Sequence, residues 1–427
     1  MSTPHTSTEA RPGDEYGPRN RWAALGPGIL MASAAIGGSH LVSSAQAGAV
    51  YQWQLIGLVI LANLMKYPFF RFGAQYTAET GDSLVEGYAN KGRAYLWVFF
   101  IFCMVSSVIS TAGVTLLTAA IVHYAVPEDW GLSTPLLAVL IMASVLAILL
   151  GGRYKALDLL SKAIVVVLAI ATVIAVVVAA MQGSQAAPGF EAPSPWTWAS
   201  LAVLIALMGW MPAPIEISAL NSLWIKAKQK ATGQRRHPKD IVFDFNVGYV
   251  TSAVLALFFV ALGALVQFGT GDEIAMASGA YVPQLIGMYG NTIGAWATPM
   301  ITLIAFMAMY GTTITVVDGY ARATGEALRL IQGRPELTRT MTTSWIIGIA
   351  VVGLAIVWWM SGSLAAMLSF AMISAFVMAP VFAWLNYTLV RDRADLTFTL
   401  RLLSWAGLVF LIGFTGIFLA NLAGLVG

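Results

Sequence analysis

Apolar residues along this chain come in long unbroken runs rather than in alternation. Ile164–Met181 and Ala253–Val266 contain hardly any polar side chain. Strands of a membrane barrel alternate between lipid-facing and lumen-facing residues, so these runs predict helices. Crossing the hydrocarbon core takes roughly 20 apolar residues in a helix. On that ruler eleven spans fall near 22–50, 53–77, 94–123, 133–151, 158–181, 196–225, 242–269, 293–328, 340–360, 363–390 and 401–425. The predicted fold class is an all-α polytopic membrane protein with 11 transmembrane helices. Residues 1–21 are expected to form a short cytosolic tail and 22–427 a single transmembrane domain. Met1–Asn20 is polar and has no apolar core of the kind a cleavable signal carries.

Composition strengthens this picture. Of 427 residues, 58% are apolar and 10% charged, with a mean hydropathy of +0.77. A soluble domain carries about 25% charged residues. With so few, most of this surface must face lipid, where helices satisfy their own backbone groups.

Lys and Arg remain preferentially on the cytoplasmic side of a membrane. With the N-terminus inside, eleven alternating spans put all 23 of them there, in the tail and the 2–3, 4–5, 6–7, 8–9 and 10–11 loops. Glu128, Asp129, Glu191, Asp272 and Glu273 occupy the other face. The expected location is a bacterial-type inner membrane. The net charge of +3 is thus a topology signal, and no nucleic-acid partner is expected. Cys103, the single cysteine, excludes a disulfide framework and a Cys-based metal site.

Two spans carry helix-breaking clusters near mid-membrane. Span 1 contains Gly37-Gly38-Ser39-His40, and span 6 contains Gly209-Trp210-Met211-Pro212-Ala213-Pro214. Proline lacks an amide donor and clashes one turn back, and paired glycines weaken a helix. Spans 1 and 6 each open one half of a five-plus-five arrangement. Breaks at matching positions point to an inverted-repeat transporter with its site at the midplane. The repeats are expected over 22–181 and 196–390, with an extra helix over 401–425.

Several of these segments resemble the Nramp family of metal transporters. Gly26-Pro27-Gly28, Ala45-Gln46-Ala47-Gly48-Ala49, Leu61-Ala62-Asn63-Leu64, Gly311-Thr312-Thr313 and Asp318-Gly319-Tyr320 carry the likeness, which runs along most of the chain. It implies a LeuT-type fold of ten core helices plus an eleventh. It also implies import of divalent transition metals, commonly with protons. The family's ligands do not carry over. Its span 1 Asp-Pro-Gly-Asn is Gly37-Gly38-Ser39-His40 here, so the metal-binding aspartate becomes Gly37 and the asparagine His40. Its span 6 Met-Pro-His aligns with Ala213-Pro214-Ile215, and the carbonyl it uses one turn earlier falls at Trp210. The acidic pair of span 3 aligns with Ser107 and Ser110, and a span 10 glutamine with Phe370. The scaffold transfers; the usual chemistry does not.

Replacement ligands are sought at the same depth. Glu216 follows Pro214 where the second half of span 6 begins, and a mid-membrane carboxylate is functional by default. It is read as a relocated cation ligand, or else as a cap on that helix. His40 either ligates a metal or is a buried histidine satisfied by a carbonyl. Ser39, Ser43 and Ser44 add hydroxyls that mostly serve their own backbone. Asp318 and Arg322 are four residues apart on one helix face, an inner gate or a self-neutralising pair. Lys66, Asn221 and Asn246 have no role assigned.

Oxygen ligands without sulfur suit magnesium, which dehydrates reluctantly, and Nramp-related magnesium transporters diverge at the same motifs. The expected function is a secondary transporter or facilitator importing a divalent cation, magnesium or manganese, by alternating access. The candidate ligands are Glu216, His40 and the Trp210 carbonyl. Two other classes remain open: the same fold carrying a small organic substrate, and a receptor-like homologue that does not transport. No nucleophile motif, phosphate loop or hydrolase signature points to an enzyme. No cofactor is expected beyond the transported ion, and a monomer is expected.

Overall fold

The computed structural model describes residues 25–151, 154–233, 236–271, 281–360, 362–393 and 396–427. Among them every regular element is helical. The expected tail and residues Arg153, Arg235, Asp272 and Glu273 lie outside the described residues.

The first span is broken. Helix α1 (Pro27–Ala35) ends at the two glycines, a wide π-helical turn covers Ser39–Ser44, and α2 (Ala45–Tyr51) follows at a bend of 47°. Pro27 sits in the first turn of α1, where a missing amide costs nothing. Helix α3 (Ile56–Thr80) and the loop helix α4 (Leu84–Lys91) precede α5 (Arg93–Ala125), α6 (Thr134–Leu150) and α7 (Tyr154–Gln182). The sixth span is interrupted more widely. Helix α8 (Leu201–Gly209) stops, residues 210–216 are non-helical, and α9 (Ile217–Thr232) restarts the span. Then come α10 (Pro238–Val266), α11 (Tyr281–Ile293), α12 (Thr298–Ile331), α13 (Arg339–Met360), α14 (Leu364–Val390) and α15 (Phe398–Leu422). The apolar pattern did not anticipate α4 or α11, both of which lie between expected spans.

Seven described helices are long and apolar enough to cross a membrane, or eight if the bent first span counts as one. The other expected spans coincide with α3, α6 and the α8–α9 pair. Helix α3 carries Asn63, Lys66, Arg71 and Gln75, α6 has 17 residues, and α8 and α9 have 9 and 16.

Close backbone approach fixes the bundle. Helix α10 runs beside both halves of the broken first span. A Cβ added at Gly28 would come within 2.1 Å of the Asp244 carbonyl oxygen, and one at Gly48 within 1.9 Å of the Val260 oxygen. Small residues let membrane helices meet in this way. The Asp244 carboxylate also accepts the Gly26 and Gly28 amides, at 2.9 and 2.7 Å, and so caps α1 from across the interface. Helices α5 and α12 pack face to face, α14 packs on α8, and α15 lies against α3 and α14. Outward faces are apolar, as at Val166, Val167, Ile170 and Ile174 on α7 and Leu402, Val409 and Ile412 on α15. These are lipid-facing belts.

Candidate functional site

The two breaks meet in the middle of the bundle. Between them lies a cavity of about 20 Å³, which by volume holds one water. Ala34, Ala35, Gly38 and Ser39 of the first span border it, with Trp210, Ala213, Pro214 and Ile217 of the sixth. Ser110 and Val114 of α5 and Thr312, Val316 and Tyr320 of α12 close the sides. The walls are mostly apolar, with hydroxyls and an indole as their polar groups. A Cβ at Gly38 would lie 2.8 Å from the Trp210 ring, so glycine there makes room for the indole.

Glu216 is buried beside this cavity, at 1% exposure. Ser106 donates to its Oε1, and so does the Tyr320 hydroxyl at 2.9 Å. Oε2 has no hydrogen-bond partner. Ser110 lies 3.4 Å from the Tyr320 oxygen, so Tyr320 links the cavity wall to the carboxylate. A carboxylate at this depth needs compensation, and the neighbouring positive charge is Lys66. That lysine is wholly buried on α3 and donates to the carbonyls of Met208, Gly209 and Ala213 at 3.0, 3.0 and 2.8 Å.

Among the candidates named from the sequence, Ser39, Ala213 and Trp210 border the cavity, and Trp210 Nε1 has no partner. Gly37 lies at the α1 break, where a Cβ would crowd the Thr312 hydroxyl at 2.9 Å. His40 is fully buried but does not border the cavity. Its Nε2 lies 2.8 Å from the Ser252 carbonyl on α10, and its Nδ1 lies 2.7 Å from the Ser39 hydroxyl and 3.1 Å from the Ala35 carbonyl. Both ring nitrogens thus have partners within the protein. Ser107 points away and donates to the carbonyl of Met104 on its own helix. Its neighbour Ser106 holds the carboxylate instead. Phe370 is 47% exposed and faces outward. Asp318 and Arg322 form the expected i,i+4 ion pair at 2.7 Å, with Asp318 buried. Among the described residues, no three His, Cys, Asp or Glu side chains gather as a metal cluster would require.

Ser106 was not singled out from the sequence, Thr312 and Tyr320 entered only within motifs that carry the family likeness, and Lys66 was named without a role. The signal for Ser106 was present: with Ser110 it makes an i,i+4 pair on one face of α5. For Lys66 it was the presence of an ammonium group in the middle of a span.

The family model for natural resistance-associated macrophage protein-like chains, Nramp, matches residues 28–426. The chain belongs to the Nramp family. It is therefore a multi-pass membrane protein of a transporter family. Within that family it is 49% identical to protein PM0681 of Pasteurella multocida (strain Pm70), over 95% of this chain and 94% of that one. It is 22% identical to the divalent metal cation transporter MntH of Latilactobacillus sakei, over 70% and 68% of the two chains. Among solved structures, a manganese transporter of Eremococcus coleocola superposes with a TM-score of 0.66 at 15% identity. That superposition covers 98% of this Nramp chain and 92% of the other.

Proposed function

We propose that this Nramp protein imports a divalent cation by alternating access, with Glu216 as the carboxylate that receives it. The supporting observation is a buried carboxylate whose Oε1 is fixed by Ser106 and Tyr320 while Oε2 has no partner, next to a cavity between two broken spans. Manganese enters this reading through the named cargo of the Eremococcus transporter, and the Latilactobacillus relative is named for divalent metal cations in general. Magnesium enters through the absence of a thioether where span 6 has Ala213. The Trp210 carbonyl and the Ser39 and Ser110 hydroxyls complete the proposed oxygen set. His40 serves the joint between the first span and α10, and the Asp318–Arg322 pair serves as the inner gate.

The frame in this proposal is eleven spans in two inverted repeats of five, 22–181 and 196–390, with 401–425 as the eleventh. The N-terminus is cytoplasmic in an inner membrane, and the protein acts as a monomer. Membrane potential favours entry, by about 2.3 kcal/mol per charge per 100 mV. Uptake of manganese and magnesium into liposomes tests it, wild type beside Glu216→Gln. Saturable uptake that the variant loses supports the proposal, and equal uptake by both refutes the assignment of Glu216.

The cavity lining favours one other reading. It contains no carboxylate, imidazole or thioether, and its polar groups are hydroxyls and an indole. That is the usual composition of a pocket for a small organic molecule, which would enter only once the broken spans part, since the closed cavity holds one water. Uptake of labelled amino acids or amines with divalent metals chelated distinguishes the two readings.

A further inference from the structure

Lys66, wholly buried on α3, carries a charge that the cation reading does not use. Lys66 Nζ contacts three backbone oxygens, those of Met208, Gly209 and Ala213, between 2.8 and 3.0 Å. A neutral amine has two hydrogens to donate and an ammonium has three. Three carbonyl acceptors therefore require the charged form, and they use every hydrogen it has.

The acceptors matter as much as the donor. Met208 and Gly209 end α8, whose C-terminal carbonyls carry partial negative charge and favour a cation. The Ala213 carbonyl comes from within the break, just before Pro214. Backbone oxygens from the end of α8 and from the break that follows it thus converge on one point, where backbone freed by the break must be satisfied from within the protein. Glu216 supplies the balancing charge nearby without bonding the ammonium directly. This is the construction of a small monovalent cation seat, carbonyl oxygens with one carboxylate close by, and a side chain from α3 fills it.

We propose that Lys66 is a tethered substitute for a dissolved monovalent cation, seated on the broken sixth span and closing it. The arrangement of that span then needs no ion from solution, and transport by this protein is independent of sodium. The inference concerns the span and not the cargo, so it stands whether the cargo is a divalent ion or an organic molecule.

The test is thermal unfolding of the purified protein in detergent at constant ionic strength, in chloride salts of sodium, lithium, potassium or choline. The wild type unfolds at the same temperature in all four. Lys66→Ala unfolds several degrees lower in choline and recovers saturably with sodium or lithium, because a dissolved cation that binds only the folded state stabilises it. Lys66→Met fills the volume without charge, so it is destabilised and no salt restores it. Recovery by a specific cation separates a cation seat from a merely structural lysine. Lys66→Ala as stable in choline as the wild type, or equally unstable in all four salts, overturns the proposal. Should Lys66→Ala not be recoverable from membranes, Lys66→Ser carries the same test, since its short side chain also leaves the three carbonyls open to a dissolved cation. A saturable sodium shift in the wild type alone overturns the proposal without any variant.

Discussion

Substituting Gly209 by alanine tests the packing on which the broken sixth span depends. Gly209 closes α8, and a Cβ there would sit 1.9 Å from the Met372 carbonyl oxygen and 2.7 Å from its carbon. Both atoms are backbone of α14, so no side chain can rotate out of the way. Restoring ordinary contact near 3.4 Å requires α8 and α14 to part by about 1.5 Å. Overpacking of this kind costs about 1–3 kcal/mol. The same shift pulls the Gly209 carbonyl from Lys66, and a hydrogen bond to a charged group is worth about 1.5–3 kcal/mol. Together these come to about 2.5–6 kcal/mol, a large share of a typical stability of about 5–15 kcal/mol. Gly413→Ala on α15 is the control, since nothing lies within 4 Å of an added Cβ. Alanine is about 1 kcal/mol better than glycine in a helix interior, so that variant should equal or exceed the wild type. Equilibrium unfolding in graded detergent denaturant, followed by tryptophan fluorescence, measures all three proteins. Gly209→Ala within about 1 kcal/mol of wild type would refute the backbone contact and the account of the break built on it.

Two further predictions concern contacts that tie helices together. Asn386 on α14 donates to the Phe69 carbonyl at 2.8 Å and the Ser218 hydroxyl at 2.7 Å, and accepts from Tyr88. Asn386→Leu strands all three groups, and at about 0.6–1.5 kcal/mol each the same unfolding assay should show a loss of about 2–4 kcal/mol. Glu86 on α4 joins Ser83 in a capping box and receives Lys226 from α9. Burial draws the Glu86 carboxyl upward, but the bonds from Lys226 and Ser83 outweigh it and hold it below the usual range. Stability from this pair is therefore complete above the ordinary carboxylate range and is lost as pH falls through the lowered value. Acid unfolding of wild type and Lys226→Ala should diverge at neutral pH by about 1 kcal/mol or less and converge in acid.

Some of this architecture was legible in the sequence because it is written in local backbone chemistry. Paired glycines at 37–38 and prolines at 212 and 214 interrupt their helices wherever the helices end up, and the breaks are where those residues fall. The Asp318–Arg322 pair follows from spacing on one helix. What escaped was the facing of helices that are apolar all round. Without a polar stripe, such a helix gives no sign of which side turns inward. On α5 the inward serine at the carboxylate is Ser106, one residue from the position reached by family alignment, and on a helix one residue turns the side chain to a different face. His40 finds its partner at Ser252 and Lys66 its carbonyls on α8, contacts between segments more than 140 residues apart. No local pattern encodes such pairings. Loop helix α11 escaped for a different reason: it lies between expected spans and is too short to register as one.

Central to the account is a cation at Glu216, and calorimetric titration of the purified protein with manganese and magnesium tests it most directly. The account predicts saturable binding of a divalent ion by the wild type and its loss in Glu216→Gln. Binding that survives in the variant, or none in the wild type, would contradict it.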